Sequence, residues 1–305
     1  MFVSFRPCLA LLLVGTLLSG CSASDNRSAP VTTAPTAPSP TAASAGLSFQ
    51  RLERTYDARL GVYALDTGSG RTVAYRADER FAYASTFKAL AVGALLRQTS
   101  IAQLDEVVRF TTADLEAHSP ITSQHVATGM SLRALSDAAI RYSDNGAGNL
   151  LLDRVGGPSG LQQTLRSIGD TTTHVDRTEP GLNSAIPGDL RDTSTPRALG
   201  TNFAKFTLED TLPAAKRALL IDWLRNNTTG GTLIRAAAPV GWIVGDKTGT
   251  ASYGTRNDIA VLWPPQGAPV ILAIQSSRRA KNATRSDSLL AAAAKLAIAD
   301  LDLAR

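Results

Sequence analysis

Ala84-Ser85-Thr86-Phe87-Lys88 closes the run Arg80-Phe81-Ala82-Tyr83-Ala84 and opens a set of apolar residues at helical spacing: Phe87, Leu90, Ala91, Ala94 and Leu95. The period predicts a helix over 85–97. Ser85 and Lys88 then share a face, about one turn apart. A serine hydroxyl is a poor nucleophile until its proton is taken or made cheaper to lose. A neighbouring lysine can do that as a neutral amine, if burial or a second cation depresses its pKa. The free N–H groups of a first helical turn also favour negative charge on the serine oxygen. Alone, Ser-x-x-Lys more often marks a capped surface helix.

Three later stretches change that weighting: Ser143-Asp144-Asn145, Arg177-Thr178-Glu179-Pro180-Gly181-Leu182-Asn183 and Lys247-Thr248-Gly249-Thr250. In this order and at these separations the set resembles the class A serine β-lactamases, within the wider superfamily of penicillin-binding proteins, over roughly the last 260 residues. The ordered set carries the resemblance and no single motif does. A second Ser24-Asp25-Asn26 sits in a segment that cannot be catalytic.

Working outward, residues 1–20 read as an export signal, with Arg6 followed by a nearly continuous apolar run from Leu9 to Leu18 that is too short to span a bilayer. Leu18-Ser19-Gly20-Cys21 resembles a bacterial lipobox, so Cys21 is expected to be lipidated and to anchor an exported protein on the outer side of a membrane. Residues 21–46, rich in Pro, Ala, Ser and Thr, read as a disordered tether. The catalytic domain is expected at 47–305. Helical spacing starts at Leu47, and strands at 59–65 and 71–75 flank a hairpin turn at Asp66-Thr67-Gly68-Ser69-Gly70. Helices follow at 131–142, 144–155, 158–168, 195–206 and 213–226. Strand signals return at 241–246, 258–263 and 269–276, before a last helix near 285–301. Strands at both ends with helices between imply an α/β part (47–80 and 230–305) and an inserted all-α part (81–229). The expected fold is thus an antiparallel sheet flanked by helices, with the site in the seam, as the resemblance also implies.

The resemblance implies roles for particular residues. Ser85 is the nucleophile and Lys88 its activator, and the backbone N–H groups of Ser85 and Thr250 form the oxyanion hole. Ser143, bridging Lys88 and Lys247, protonates the departing nitrogen. Asn145 holds Lys88 and the substrate's side-chain amide, although Ser143-Asp144-Asn145 also reads as a helix cap. Lys247, Thr248 and Arg256 recognise a carboxylate, and Gly249 would let substrate lie against bare backbone. Glu179 and Asn183 position a water on an Ω-shaped loop whose neck an Arg177–Asp192 ion pair closes. His118-Ser119-Pro120 falls where the family often puts an aromatic on the cleft rim. Gly146 and Gly148 depart from the usual Thr and Ala, which puts the rigidity of that helix in doubt.

The bulk numbers fit a small-molecule enzyme. Net charge is +5, basic residues are scattered, and aromatics are 6% of the chain, so nucleic-acid binding is discounted. The two cysteines, Cys8 and Cys21, both precede residue 22, and the three histidines lack zinc spacing, so no metal and no cofactor are expected. The expected substrates are β-lactams and the expected state is a monomer, touching a membrane only through Cys21. Two other readings share the serine and lysine: a D-Ala-D-Ala carboxypeptidase or transpeptidase, and a β-lactam sensor that stays acylated. Glu179-Pro180-Gly181-Leu182-Asn183 separates hydrolysis from both.

Overall fold

The computed structural model describes residues 40–303, together with Phe2, and side chains from residue 46 onward. In order the elements are α1 (Pro40–Tyr56), β1 (Arg59–Asp66), β2 (Thr72–Tyr75), β3 (Phe81–Ala82), α2 (Phe87–Gln98), β4 (Val107–Val108), β5 (Met130–Ser131), α3 (Leu132–Arg141), α4 (Asn145–Arg154) and α5 (Gly157–Ser167). They continue through β6 (Thr193–Ser194), α6 (Pro196–Thr207), α7 (Ala214–Arg225), α8 (Ile234–Ala237), β7 (Ile243–Thr250), β8 (Arg256–Trp263), β9 (Val270–Ser277) and α9 (Asp287–Asp300). The described residues from Pro40 onward form one compact unit.

Strands from the two ends of the chain meet in one antiparallel sheet of order β2-β1-β9-β8-β7. Two-residue alternation gives it two apolar faces. Ile259, Val261, Ile271 and Ala273 look toward the helical insertion, where they join Leu90, Leu135, Leu151 and Phe203 in one core. Ala260, Leu262, Leu272 and Ile274 look the other way and are covered by Phe49 of α1 and Leu289, Leu290 and Ala293 of α9. The central helix α2 is buried on every side from Phe87 to Leu96, which is how a helix apolar all round behaves. A Cβ at Gly93 would lie 2.7 Å from the Phe206 ring, so that glycine lets α6 pack close.

Most expected elements lie within a residue or two of their expected ends. The first helix instead starts at Pro40, inside the segment read as a tether. Pro in a first turn loses no helical hydrogen bond, and Ala42, Ala43 and Ala45 favour helix. The rest of that segment, Cys21 and the leader apart from Phe2 lie outside the described residues. The strand expected at 241–246 runs as β7 on through Lys247-Thr248-Gly249-Thr250, because β8 pairs with it in full register from Ile243↔Trp263 to Thr250↔Arg256. Among the described residues no helix is long and apolar enough to cross a membrane.

Candidate active site

Ser85 occupies a single 3-10 turn, Ala84–Thr86, that runs into α2. Ala84 sits at φ 50°, a left-handed conformation that a non-glycine residue adopts only when its surroundings impose it. Asn257 of β8 imposes it by donating its amide to the carbonyls of Ala82 (2.8 Å) and Tyr83 (3.0 Å). Gly249 of β7 adds close contact, since a Cβ there would stand 2.8 Å from the Tyr83 carbonyl oxygen. The bare side of Gly249 is therefore covered by the serine's own segment. This corrects the expectation that substrate would fill it.

Because α2 is buried, Lys88 has no exposed surface, and a buried ammonium must find its partners within the protein. It donates to Ser85 Oγ (2.9 Å), the Ser143 carbonyl (2.8 Å) and Asn145 Oδ1 (2.6 Å), and lies 3.1 Å from Glu179 Oε1. Burial pushes its pKa below the ordinary lysine value, while the Glu179 charge pulls the other way. Asn145 spends one amide hydrogen on the Ala117 carbonyl at 2.7 Å.

Ser143 stands in the turn between α3 and α4, at φ 56°. The bridge expected from it to both lysines is made with two different atoms. Lys88 uses its carbonyl, and Lys247 donates to its hydroxyl at 3.0 Å. Asp144 meanwhile caps α4 by accepting from Ala147 N at 2.9 Å, and holds Ile121 and Thr122 through their N–H groups. The helix cap and the lysine contacts thus coexist.

Glu179 enters from the other side of Ser85. Its Oε1 accepts the serine hydroxyl at 3.0 Å, and its Oε2 accepts the Asn183 amide. The Glu179 backbone is clamped by Asn149, which accepts from its N–H and donates to its carbonyl, both at 2.9 Å. At the neck of this loop Arg177 Nε meets Asp192 Oδ2 at 2.5 Å. Asp192, fully buried, also accepts from the backbone of Asp176 and Arg177 and from the Tyr83 hydroxyl.

Lys247 is fully buried on β7 and also donates to the Thr248 carbonyl at 2.9 Å. Burial, and then the neighbouring Lys88 charge, lower its pKa to about 7. The Thr248 hydroxyl meets that of Thr229 at 2.6 Å. The β7–β8 register puts Arg256 beside Thr250, where it donates to the threonine hydroxyl at 2.8 Å. Asp287, at the first turn of α9, holds the Arg256 Nε at 2.8 Å. His118 is exposed, with its ring against the Tyr142 carbonyl.

The structure thus gathers Ser85, Lys88, Ser143, Asn145, Glu179, Asn183 and Lys247 into one hydrogen-bonded cluster, with Thr248, Thr250 and Arg256 along the adjoining strands. Sequence reasoning missed Asn149, Asp287 and Asn257. Asn149 left a signal, since it lies one helical turn after Asn145 on the same face of α4. A cluster of this kind can activate a hydroxyl, receive its proton on a carboxylate and hold an anion beside it.

Residues 47–301 match the model of the family described as "Beta-lactamase enzyme family". A β-lactamase of Amycolatopsis lactamdurans is 61% identical over 83% of this chain and 84% of its own. One from Bacillus amyloliquefaciens is 58% identical, covering 83% of each chain. The solved structure of a class A β-lactamase from Clostridium kluyveri superposes with a TM-score of 0.84 at 48% identity, over 85% of this chain and 99% of that one.

Proposed function

The chain belongs to the class A β-lactamases and hydrolyses β-lactam antibiotics, which confers resistance, and on that footing we propose how its residues divide the work. Ser85 attacks the lactam carbonyl, and the amide opens into an ester on Oγ. Lys88, 2.9 Å away and with its own proton loosened by burial, lowers the cost of deprotonating the serine. The oxyanion lies between the backbone N–H groups of Ser85 and Thr250. Ser143 delivers a proton, replenished from Lys247, to the departing nitrogen. Lys247, Thr248, Thr250 and Arg256 take the substrate's carboxylate, and Asn145 fixes Lys88 and meets the side-chain amide.

Glu179 then takes a proton from the water that hydrolyses the ester. Asn183 helps hold that water, offering Oδ1, a buried acceptor with no protein partner. The observation that supports this reading most is the contact of Glu179 Oε1 with Ser85 Oγ at 3.0 Å, with the second oxygen tied to Asn183. A transpeptidase or a sensor needs no such acceptor over its serine. Benzylpenicillin turnover tests the assignment together with intact-protein mass spectrometry. Ser85→Ala is expected to hydrolyse nothing and carry no adduct, and an adduct on that variant would show another nucleophile.

Export and lipidation at Cys21 belong to the same proposal, on the strength of Arg6, the apolar run from Leu9 and Leu18-Ser19-Gly20-Cys21. The enzyme works as a monomer, since one chain supplies nucleophile, carboxylate and anion readers. Cys21→Ala is expected to move the activity from the membrane fraction to the soluble one; continued sedimentation would mean another anchor.

A further inference from the structure

Behind the loop that carries Glu179, away from Ser85, lies a cavity of about 880 Å³. Its outer wall is the far limb of that loop, Ala185 to Arg191. Its other lining includes the end of α1, the start of β1 and the residues after β9. Seven arginines line it against four carboxylates. Three of those carboxylates are already engaged, in the pairs Arg59–Glu79, Arg76–Glu53 and Arg191–Asp189. Arg54, Arg80, Arg278 and Arg279 have no carboxylate partner among the described residues, and Asp57 is the one lining carboxylate outside an ion pair.

Two of these unpaired arginines are held in place by contacts of their own. Arg80 is half-buried and donates to the Thr193 hydroxyl at 3.2 Å. The stem of Arg278 packs on Gly254, where a Cβ would stand 2.8 Å from its Cδ, and its backbone N–H is tied to the Tyr253 carbonyl. Arginine side chains anchored in this way lose less freedom on meeting anionic oxygens, and the planar fork suits carboxylate and phosphate alike. A concave site with excess positive charge and low-dielectric walls concentrates anions. Ile186 and Leu190, about half exposed on the loop limb, add apolar contact at the rim.

We propose that this cavity is a binding site for a small organic or inorganic polyanion, recognised by its four unpaired arginines, Arg54, Arg80, Arg278 and Arg279. Two or more anionic groups are required to meet several separate guanidinium forks at once. The site is separate from the carboxylate readers Lys247 and Arg256, neither of which lines it.

Isothermal titration of the full enzyme with pyrophosphate, and separately with citrate, at matched ionic strength tests this and shows whether phosphate or carboxylate oxygens are preferred. Saturable binding is expected, weakening at least about tenfold, or ~1.4 kcal/mol, in Arg80→Gln/Arg278→Gln. That variant should keep the wild-type melting temperature and penicillin turnover. If it does not fold, Arg278→Gln/Arg279→Gln carries the same expectation. The kcat/KM for benzylpenicillin at saturating pyrophosphate places the anion. An anion in the substrate's carboxylate site lowers kcat/KM with kcat unchanged, whereas one in this cavity leaves kcat/KM intact. Absence of saturation, equal affinity in the variants, or a fall in kcat/KM that tracks occupancy overturns the proposal.

Discussion

Asp287 holds Arg256 by two contacts, at 2.8 Å to Nε and 3.3 Å to a terminal nitrogen, so the guanidinium that faces Thr250 is already partly neutralised. A substrate carboxylate arriving at Arg256 competes with a carboxylate in place. Asp287→Asn keeps an acceptor for Nε and removes the competing charge. Because Asp287 is one-third exposed and water screens part of its charge, the gain is modest. KM for penicillins should fall about two- to fivefold, or ~0.5–1 kcal/mol. Arg256→Ala should do the opposite, raising KM more than it lowers kcat. If free acid and methyl ester of one penicillin respond equally to either change, Arg256 is not reading the carboxylate.

The loop neck makes a stability prediction whose two halves differ. Asp192 has no exposed surface and serves Arg177, two backbone N–H groups and the Tyr83 hydroxyl, whereas Arg177 keeps 23% of its side chain in solvent. Asp192→Ala strands several donors at once and should cost about 3–5 kcal/mol in urea unfolding. Arg177→Ala leaves Asp192 three donors and should cost less, about 1–3 kcal/mol. Equal losses from the two variants would mean that the ion pair alone, not the buried acceptor, holds the neck.

Much of this was legible in advance because long periodic segments bury their apolar faces wherever they are placed. The helices from α2 to α7 and the strands β1, β8 and β9 are of that kind. The pairs Phe81–Ala82 with Thr193–Ser194 and Val107–Val108 with Met130–Ser131 are too short to show a period, and only distant packing makes them strands. The supports of the site were hidden for the same reason: Asn149 reaches Glu179 across 30 residues and Asp287 reaches Arg256 across 31. Gly146 and Gly148 were misread. They look like weak points in a helix, yet a Cβ at 148 would stand 2.6 Å from Lys88 Cε, and one at 146 would stand 2.7 Å from Thr122 Oγ1. These glycines make room for the lysine and for the Asp144 cap, and a one-dimensional propensity scale contains no such term.

Lys247 sets a pH dependence. Its folded-state pKa of about 7 lies below the ordinary 10.5, so its ammonium is lost as pH rises through about 7, and its attraction for a carboxylate goes with it. The kcat/KM of an anionic penicillin should therefore carry an alkaline limb beginning near pH 7. Lys247→Arg, whose charge persists, should move that limb upward. The sign for stability is opposite. Below pH 7 the fold bears the full penalty of a buried cation, and the penalty is relieved as pH rises from about 7 toward 10.5. A kcat/KM profile unchanged by Lys247→Arg would assign the limb to another group.

Glu179 separates a hydrolase from a stalled acyl-enzyme. Acylation requires Ser85 to lose a proton, and two groups stand ready to ease that loss, Lys88 at 2.9 Å and Glu179 at 3.0 Å. Removing one leaves the other, so Glu179→Ala should still react with penicillin, though more slowly. Deacylation has no such redundancy. It needs a carboxylate within hydrogen-bond reach of a water aligned on the ester carbonyl, and among the described residues Glu179 is the one carboxylate in contact with Ser85. Its backbone is clamped by Asn149 and its second oxygen by Asn183, so no neighbouring acid can take its place without remaking the loop. Stopped-flow mixing of Glu179→Ala with benzylpenicillin should show about one lactam ring opened per enzyme, with no product released, and then nearly stop. Mass spectrometry of the quenched protein should find the adduct on Ser85. Steady turnover near the wild-type rate would mean that some other group activates the water, and that the loop from Arg177 to Asp192 only shapes the cleft.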